Sequence, residues 1–216
     1  FTGGRNAFGP GGYYKSPLEP VMPVTMELRK EHRKLAIAIA VVLDRSGSMA
    51  MQAGTSGRTK MDLANIATAS VMDMLSPFDH LGVIAVDSSP HTIVEINSME
   101  KNINYRSKVL QIDSMGGGIF VYTGLLHAAK MIADAQPVTK HIILFADAAD
   151  SEEPGQYIEL LDNLSKAGVT VSVIGLGKPT DVDAPFLRDI ASRGSGRIYF
   201  TENANDLPRL FAQDTF

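Results

Sequence analysis

The chain has 216 residues, 20 basic and 24 acidic, for a formal net charge of −4. That length holds one sizeable core, or one core with a short extension, and that charge supplies no general field for nucleic acid or an acidic membrane surface. The absence of cysteine excludes disulfides, thiolate metal sites and cysteine nucleophiles, while suiting reducing and oxidising compartments alike.

Residues 1–24 combine glycines (Gly3, Gly4, Gly9, Gly11, Gly12) with Phe1, Phe8, Tyr13 and Tyr14, then Pro17, Pro20 and Pro23. Nothing there repeats with a helical or strand period, which predicts an extended arm whose aromatics need a surface to cover. The basic group from Arg29 to Lys34 is interleaved with Glu27 and Glu31 and reads as a solvated face. From residue 33 onward strand-like and helix-like segments alternate. Residues 36–43 are apolar throughout, as suits a strand covered on both faces, and they stop at Asp44, with Ser46 and Ser48 following. A helix is predicted over 60–75, then strands over 81–86 and 92–96 paired across Ser88-Ser89-Pro90. A helix over 106–112 leads to Gly116-Gly117-Gly118, and another is predicted over 123–135. The strand over 140–146 ends at Asp147. A helix over 156–166 is closed by Gly168, and a strand over 169–174, a helix over 183–191, a strand over 197–200 and a helix over 206–213 complete the pattern. The alternation predicts an α/β fold: a doubly wound, mainly parallel sheet with helices on both faces. No apolar run reaches the roughly 18 residues that span a bilayer, and no signal peptide is visible. The chain starts at Phe1 rather than Met and is read as a piece of a longer protein.

In open α/β sheets, ligands bind just outside the carboxyl ends of the strands. Asp44, Ser46 and Ser48 supply a carboxylate and two hydroxyls there, on a loop that Gly47 lets bend; such hard oxygens suit Mg²⁺ or a similar cation. Capping of a turn or of the next helix is the competing role. Asp147 repeats the design, an apolar run and then a carboxylate. If the two strands are neighbours, Asp44 and Asp147 converge on one crevice. A further contribution is expected from the loop over 116–123, where three glycines allow close backbone approach and positive φ. That loop lacks the spacing and the Lys-Ser/Thr of a phosphate-binding loop. Gly175-Leu176-Gly177 is followed by Thr180 where a dinucleotide fingerprint has its third glycine, and Gly194-Ser195-Gly196 precedes a strand, unlike a nucleophile elbow. The five histidines are dispersed and read as structural; Asp150, Glu152 and Glu153 suit a helix N-terminus near Pro154.

Residues 33 to 215 resemble a von Willebrand factor type A domain, and Asp44-x-Ser46-x-Ser48 matches that family's metal-ion-dependent adhesion site. The resemblance implies a six-stranded, Rossmann-like sheet with Mg²⁺ (or Mn²⁺ or Ca²⁺) at its C-terminal edge, held by Asp44, Ser46, Ser48 and Asp147. The family's threonine ligand falls on Ile119, which cannot coordinate an ion, while Thr123 lies one helical turn later. Ala148 stands where a glycine usually follows the last Asp, so the site is degenerate. The arm from Gly3 to Tyr13, and the wording from Ile143 to Gly155, are similar to bacterial membrane-anchored proteins in which the type A domain lies within a glutamine amidotransferase-like domain. That implies an arm over 1–32 belonging to a flanking domain, a type A domain over 33–216, and a membrane-associated, extracytoplasmic setting. Without a cysteine this fragment has no amidotransferase activity.

The expected function is non-enzymatic protein binding, with a partner offering a carboxylate to the metal and residues 1–24 docking on a flanking domain, and without nucleic acid or direct membrane contact. A metal-free scaffold is one alternative. A metal-dependent hydrolase is another, although no His or Glu in the 44–49 loop offers a general base. Ile119→Thr should supply the missing hydroxyl and raise Mn²⁺ affinity about tenfold, on the scale of ligand-shell effects. Calorimetric titration checks this; unchanged affinity in a folded variant would show that residue 119 is not the ligand position.

Overall fold

In the computed structural model, the apolar run becomes strand β1 (Ile37–Asp44). Helix α1 (Lys60–Met74), strands β2 (His80–Val86) and β3 (Pro90–Ser98), and short helices α2 (Met99–Asn102) and α3 (Arg106–Leu110) follow. Then come α4 (Val121–Ala133), β4 (Thr139–Ala146), α5 (Tyr157–Lys166), β5 (Val169–Gly175), α6 (Ala184–Arg193) and β6 (Ser195–Phe200). The structure describes residues 36–54, 57–118, 120–147, 155–201, 203, 206 and 209. The chain divides into two compact units, Phe1–Lys34 and Leu35–Phe216, and all these elements belong to the second. The expected arm, Ile119, Ala148, Asp150, Glu152, Glu153 and most of the helix expected over 206–213 lie outside the described residues.

The six strands form one sheet in the order β3-β2-β1-β4-β5-β6, parallel except for β3, which runs antiparallel to β2. Alternation along β1 separates the two cores. Ile39, Val41 and Leu43 pack with Met61, Leu63, Ala64 and Val71 of α1 on one face. Ala38, Ala40 and Val42 pack with Leu125, Ala128 and Ile132 of α4, Leu161 of α5 and Ile190 of α6 on the other. An unbroken apolar run is what a strand covered on both faces requires.

Several elements differ in extent from the expectation, α4 and β3 among them. Helix α4 begins at Val121, two residues early, because Val121 lies one turn before Leu125 on the same buried face. Strand β3 extends beyond 92–96 to Pro90–Ser98, since edge pairing needs only backbone and tolerates its half-exposed side chains.

Gly124 lets α4 approach the sheet. A Cβ there would lie 2.8 Å from Val86 Cγ2 and 2.9 Å from Val42 Cγ1. Both valines are β-branched and have little rotamer freedom to yield. Gly124→Ala is therefore expected to destabilise the domain by about 1–3 kcal/mol, despite alanine's better helix propensity. Thermal melts check this, and part of the loss should be recovered when Val86→Ala is added.

Candidate metal centre

Strand order reverses between β1 and β4, and such a switch point is where open α/β sheets bind ligands. Asp44 closes β1 and Asp147 follows β4 directly, with Leu43 paired to Phe145 in the register between them. Each aspartate is only 1% exposed. The backbone N–H of Ser46 donates to Asp44 Oδ1 at 2.7 Å, and that of Asp147 donates to Asp44 Oδ2 at 3.1 Å. One carboxylate thus shapes its own loop and fastens it to the end of the neighbouring strand.

Beyond Asp44 the chain makes a 3-10 turn, Gly47–Ala50, in which Met49 N–H donates to the Ser46 carbonyl at 3.1 Å and Met51 N–H to that of Ser48 at 3.0 Å. Met49 is fully buried and pins the turn. Ser46 Oγ and Ser48 Oγ consequently lie 3.0 Å apart. Of the competing capping roles, Asp44 does accept a turn hydrogen bond, but the Ser46 side chain caps nothing and helix α1 takes its cap from Thr59.

The glycine-rich loop packs against this turn. Ser114 Oγ donates to the Ser46 carbonyl at 2.6 Å, Met115 N–H to that of Arg45 at 3.1 Å, and Gly47 N–H to that of Gly117 at 3.3 Å. Gly116 and Gly117 have φ of +81° and +86°, the left-handed region where a side chain is strained. Asn65 on α1 holds the loop's start through Nδ2 to the Ile112 carbonyl, at 2.8 Å. Thr123 is the third residue of α4, and Ile119 lies outside the described residues.

Two cationic side chains lie near the site, Lys60 from helix α1 and Arg45 from the first variable position of the Asp-x-Ser-x-Ser stretch. Lys60 Nζ lies 2.7 Å from Asp147 Oδ1, with the two side chains 14% and 0% exposed. Lys60 is delivered there because Thr59 and Asp62 form a reciprocal capping box that starts α1 at residue 60. Arg45 grips Asp87, just past β2, through Nε and Nη2, the former at 2.8 Å. Of the described histidines, His91 bonds to Asp87 and Ser89, His127 to Thr92 and His141 to Thr170.

Burial pushes the Asp44 carboxyl up to about 6, against the lowering effect of the Ser46 and Asp147 N–H groups and the Ser46 hydroxyl; the nearby charge of Asp147 adds to the rise. A folded value above the ordinary one of about 3.9 gives stability that is present below that pH and lost as pH rises through about 6. A cation in the crevice opposes that loss. The oxygen set fits one: two buried carboxylates and two hydroxyls, with the Lys60 ammonium standing against Asp147 in the ion's absence. Among the described residues no group of three His, Asp or Glu side chains gathers, so the hydroxyls are needed, and hard oxygens of this kind suit Mg²⁺, Mn²⁺ or Ca²⁺.

A family model described as von Willebrand factor type A domain matches residues 38–213. No curated protein sequence matches. Among solved structures the chain is similar to an aerotolerance-related membrane protein from Bacteroides fragilis, with TM-score 0.71 and 19% identity over 83% of this chain and 98% of that one. It is similar also to the conserved hypothetical protein BatB from Bacteroides thetaiotaomicron, with TM-score 0.72 and 19% identity over 82% and 96%. A von Willebrand factor type A protein from Catenulispora acidiphila gives TM-score 0.69 and 23% identity over 82% and 41%. At these identities the likeness is one of fold.

Asp87 carries a pH dependence of its own. Burial raises its carboxyl, but the Ser89 N–H, the hydrogen bonds from Arg45 and His91 and the Arg45 charge outweigh that and hold it down at about 2. A depressed value gives stability that is present above the unfolded value of about 3.9 and lost as pH falls toward 2. Asp87→Asn should therefore destabilise the domain by about 1–2 kcal/mol at neutral pH, with the difference from wild type shrinking below about pH 4. Denaturant melts at a series of pH values check this.

Proposed function

The chain belongs to the von Willebrand factor type A family, and from that premise we propose that it is a non-enzymatic protein-binding domain whose crevice at Asp44, Ser46, Ser48 and Asp147 takes Mg²⁺ or a similar divalent cation. The observation that carries this is the convergence of two buried carboxylates at the switch point, one accepting the backbone N–H of the other. Two carboxylates only just balance a divalent charge, and the hydroxyls are neutral, so the ion keeps its affinity for a carboxylate offered by a partner protein. The rim suits such a partner. Met51 and Met115 are 62% and 66% exposed, and an open cleft of about 510 Å³ adjoins the Ser46 loop, lined by Ala50, Met61, Ile112 and Met115 together with the polar Thr59, Asp62, Asp113 and Ser114. Methionine side chains adapt to varied apolar surfaces, so an acidic residue flanked by apolar ones is the expected determinant.

We place the domain in a larger, membrane-associated bacterial protein, outside the cytoplasm, with residues 1–24 docking on a flanking domain. The aerotolerance-related neighbour is itself described as a membrane protein, which supports the association. Among the described residues of this chain no helix is long and apolar enough to cross a membrane. A second reading, a metal-free scaffold, draws support from the ammonium of Lys60 against Asp147.

Thermal melts with and without millimolar-scale Mn²⁺, on wild type and Asp44→Ala, separate the readings. An ion that binds only the folded state stabilises it by mass action, by about 2.7 kcal/mol at a hundred times Kd. Wild type should gain and Asp44→Ala should not. Equal shifts would remove the site, and no shift in wild type would leave the scaffold.

A further inference from the structure

We propose that Lys60 is a tethered competitor for the divalent ion: its ammonium holds Asp147 in the metal-free domain and must swing away before an ion can use that carboxylate. This rests on the metal-binding reading above. The ion pair spans 87 positions in sequence, joining the first residue of α1 to the end of β4. Its geometry is a direct contact of 2.7 Å on a fully buried carboxylate.

The position of the lysine argues for a role. At a helix N-terminus the dipole favours acids and opposes a positive charge, so Lys60 stands where helix energetics alone would not put it. It is held there by its surroundings. The capping box fixes the start of the helix, Lys60 N–H donates to the Met51 carbonyl at 2.9 Å, and Gln52 bridges to Thr59. With the backbone fixed, exchange of ammonium for ion is a change of side-chain rotamer alone. The lysine stem has four rotatable bonds and the side chain reaches the surface, at 14% exposure, so the released charge has water to enter. Each occupant brings positive charge to Asp147, and the two charges repel, so that the presence of one opposes the other.

The test uses the 216-residue chain, with Mn²⁺ alone as probe, in wild type, Lys60→Met and Asp44→Ala. Calorimetric titration should show Lys60→Met binding Mn²⁺ about tenfold more tightly than wild type, between the small worth of an exposed ion pair and the large worth of a buried one. Thermal melts give the second readout. In chelator Lys60→Met should melt below wild type, because Asp147 has lost its ammonium, and Mn²⁺ should raise it by more than it raises wild type. Lys60→Gln keeps a donor for Asp147 without the charge; it should show the same direction and serves if Lys60→Met does not fold. Binding by Lys60→Met but not by wild type would also support the proposal. Equal Mn²⁺ affinity in wild type and the Lys60 variants, lost in Asp44→Ala, would overturn the competition and leave the metal reading standing. No binding in any of them would overturn both.

Discussion

The hydrogen bond from Asp147 N–H to Asp44 Oδ2 is the contact on which the crevice depends. It joins the ends of two strands that are adjacent in the sheet but separated by about half the chain. The sheet brings those ends together because β1 and β4 are both apolar on both faces and can be buried only at its centre. Without the Asp44 carboxylate, the Ser46 turn would lose both the acceptor that orients it and its tie to the end of β4, and would keep its contacts with Ser114, Met115 and Gly117. The glycines at 116 and 117 serve the same end, since their left-handed backbone lets a third loop lie directly on the turn.

Charge balance is the second constraint. Burying a carboxylate is costly, and the rise of Asp44 to about 6 expresses that cost, with a smaller push from the charge of Asp147. The chain meets Asp147 with the Lys60 ammonium, while Arg45 is paired with Asp87 past the neighbouring strand β2. Asp147 thus meets a cation, while Asp44 is met by the backbone N–H groups of Ser46 and Asp147.

Much of this was legible in the sequence, for stated reasons. Strands β1 and β4 announce themselves because their doubly covered stretches, 37–43 and 142–146, are apolar throughout, and Asp44 and Asp147 stand out because each ends such a run. The start of α4 was placed two residues late because Phe120 supplies no side-chain cap, so the sequence carries no start signal there. The turn at Gly47–Ala50 is too short to show a period. Lys60 and Ser114 were not picked out because their contacts cross 87 and 68 positions. A local signal did exist for the lysine: Thr59-x-x-Asp62 marks a helix start, and a basic residue at its first position runs against the dipole.

The parallel pairing of β1 with β4 has a mechanical consequence. A pull applied at Asp44 or Asp147 along the strands enters at the C-terminal ends of the two central strands, not at an edge. Tension in that direction shears the ladders of β1 with β2 and β4, and of β4 with β5, so many hydrogen bonds share the load together. Peeling from an edge strand such as β3 would break them one after another. A load applied at the crevice along the strand axis would therefore meet more resistance from the sheet than one applied across it.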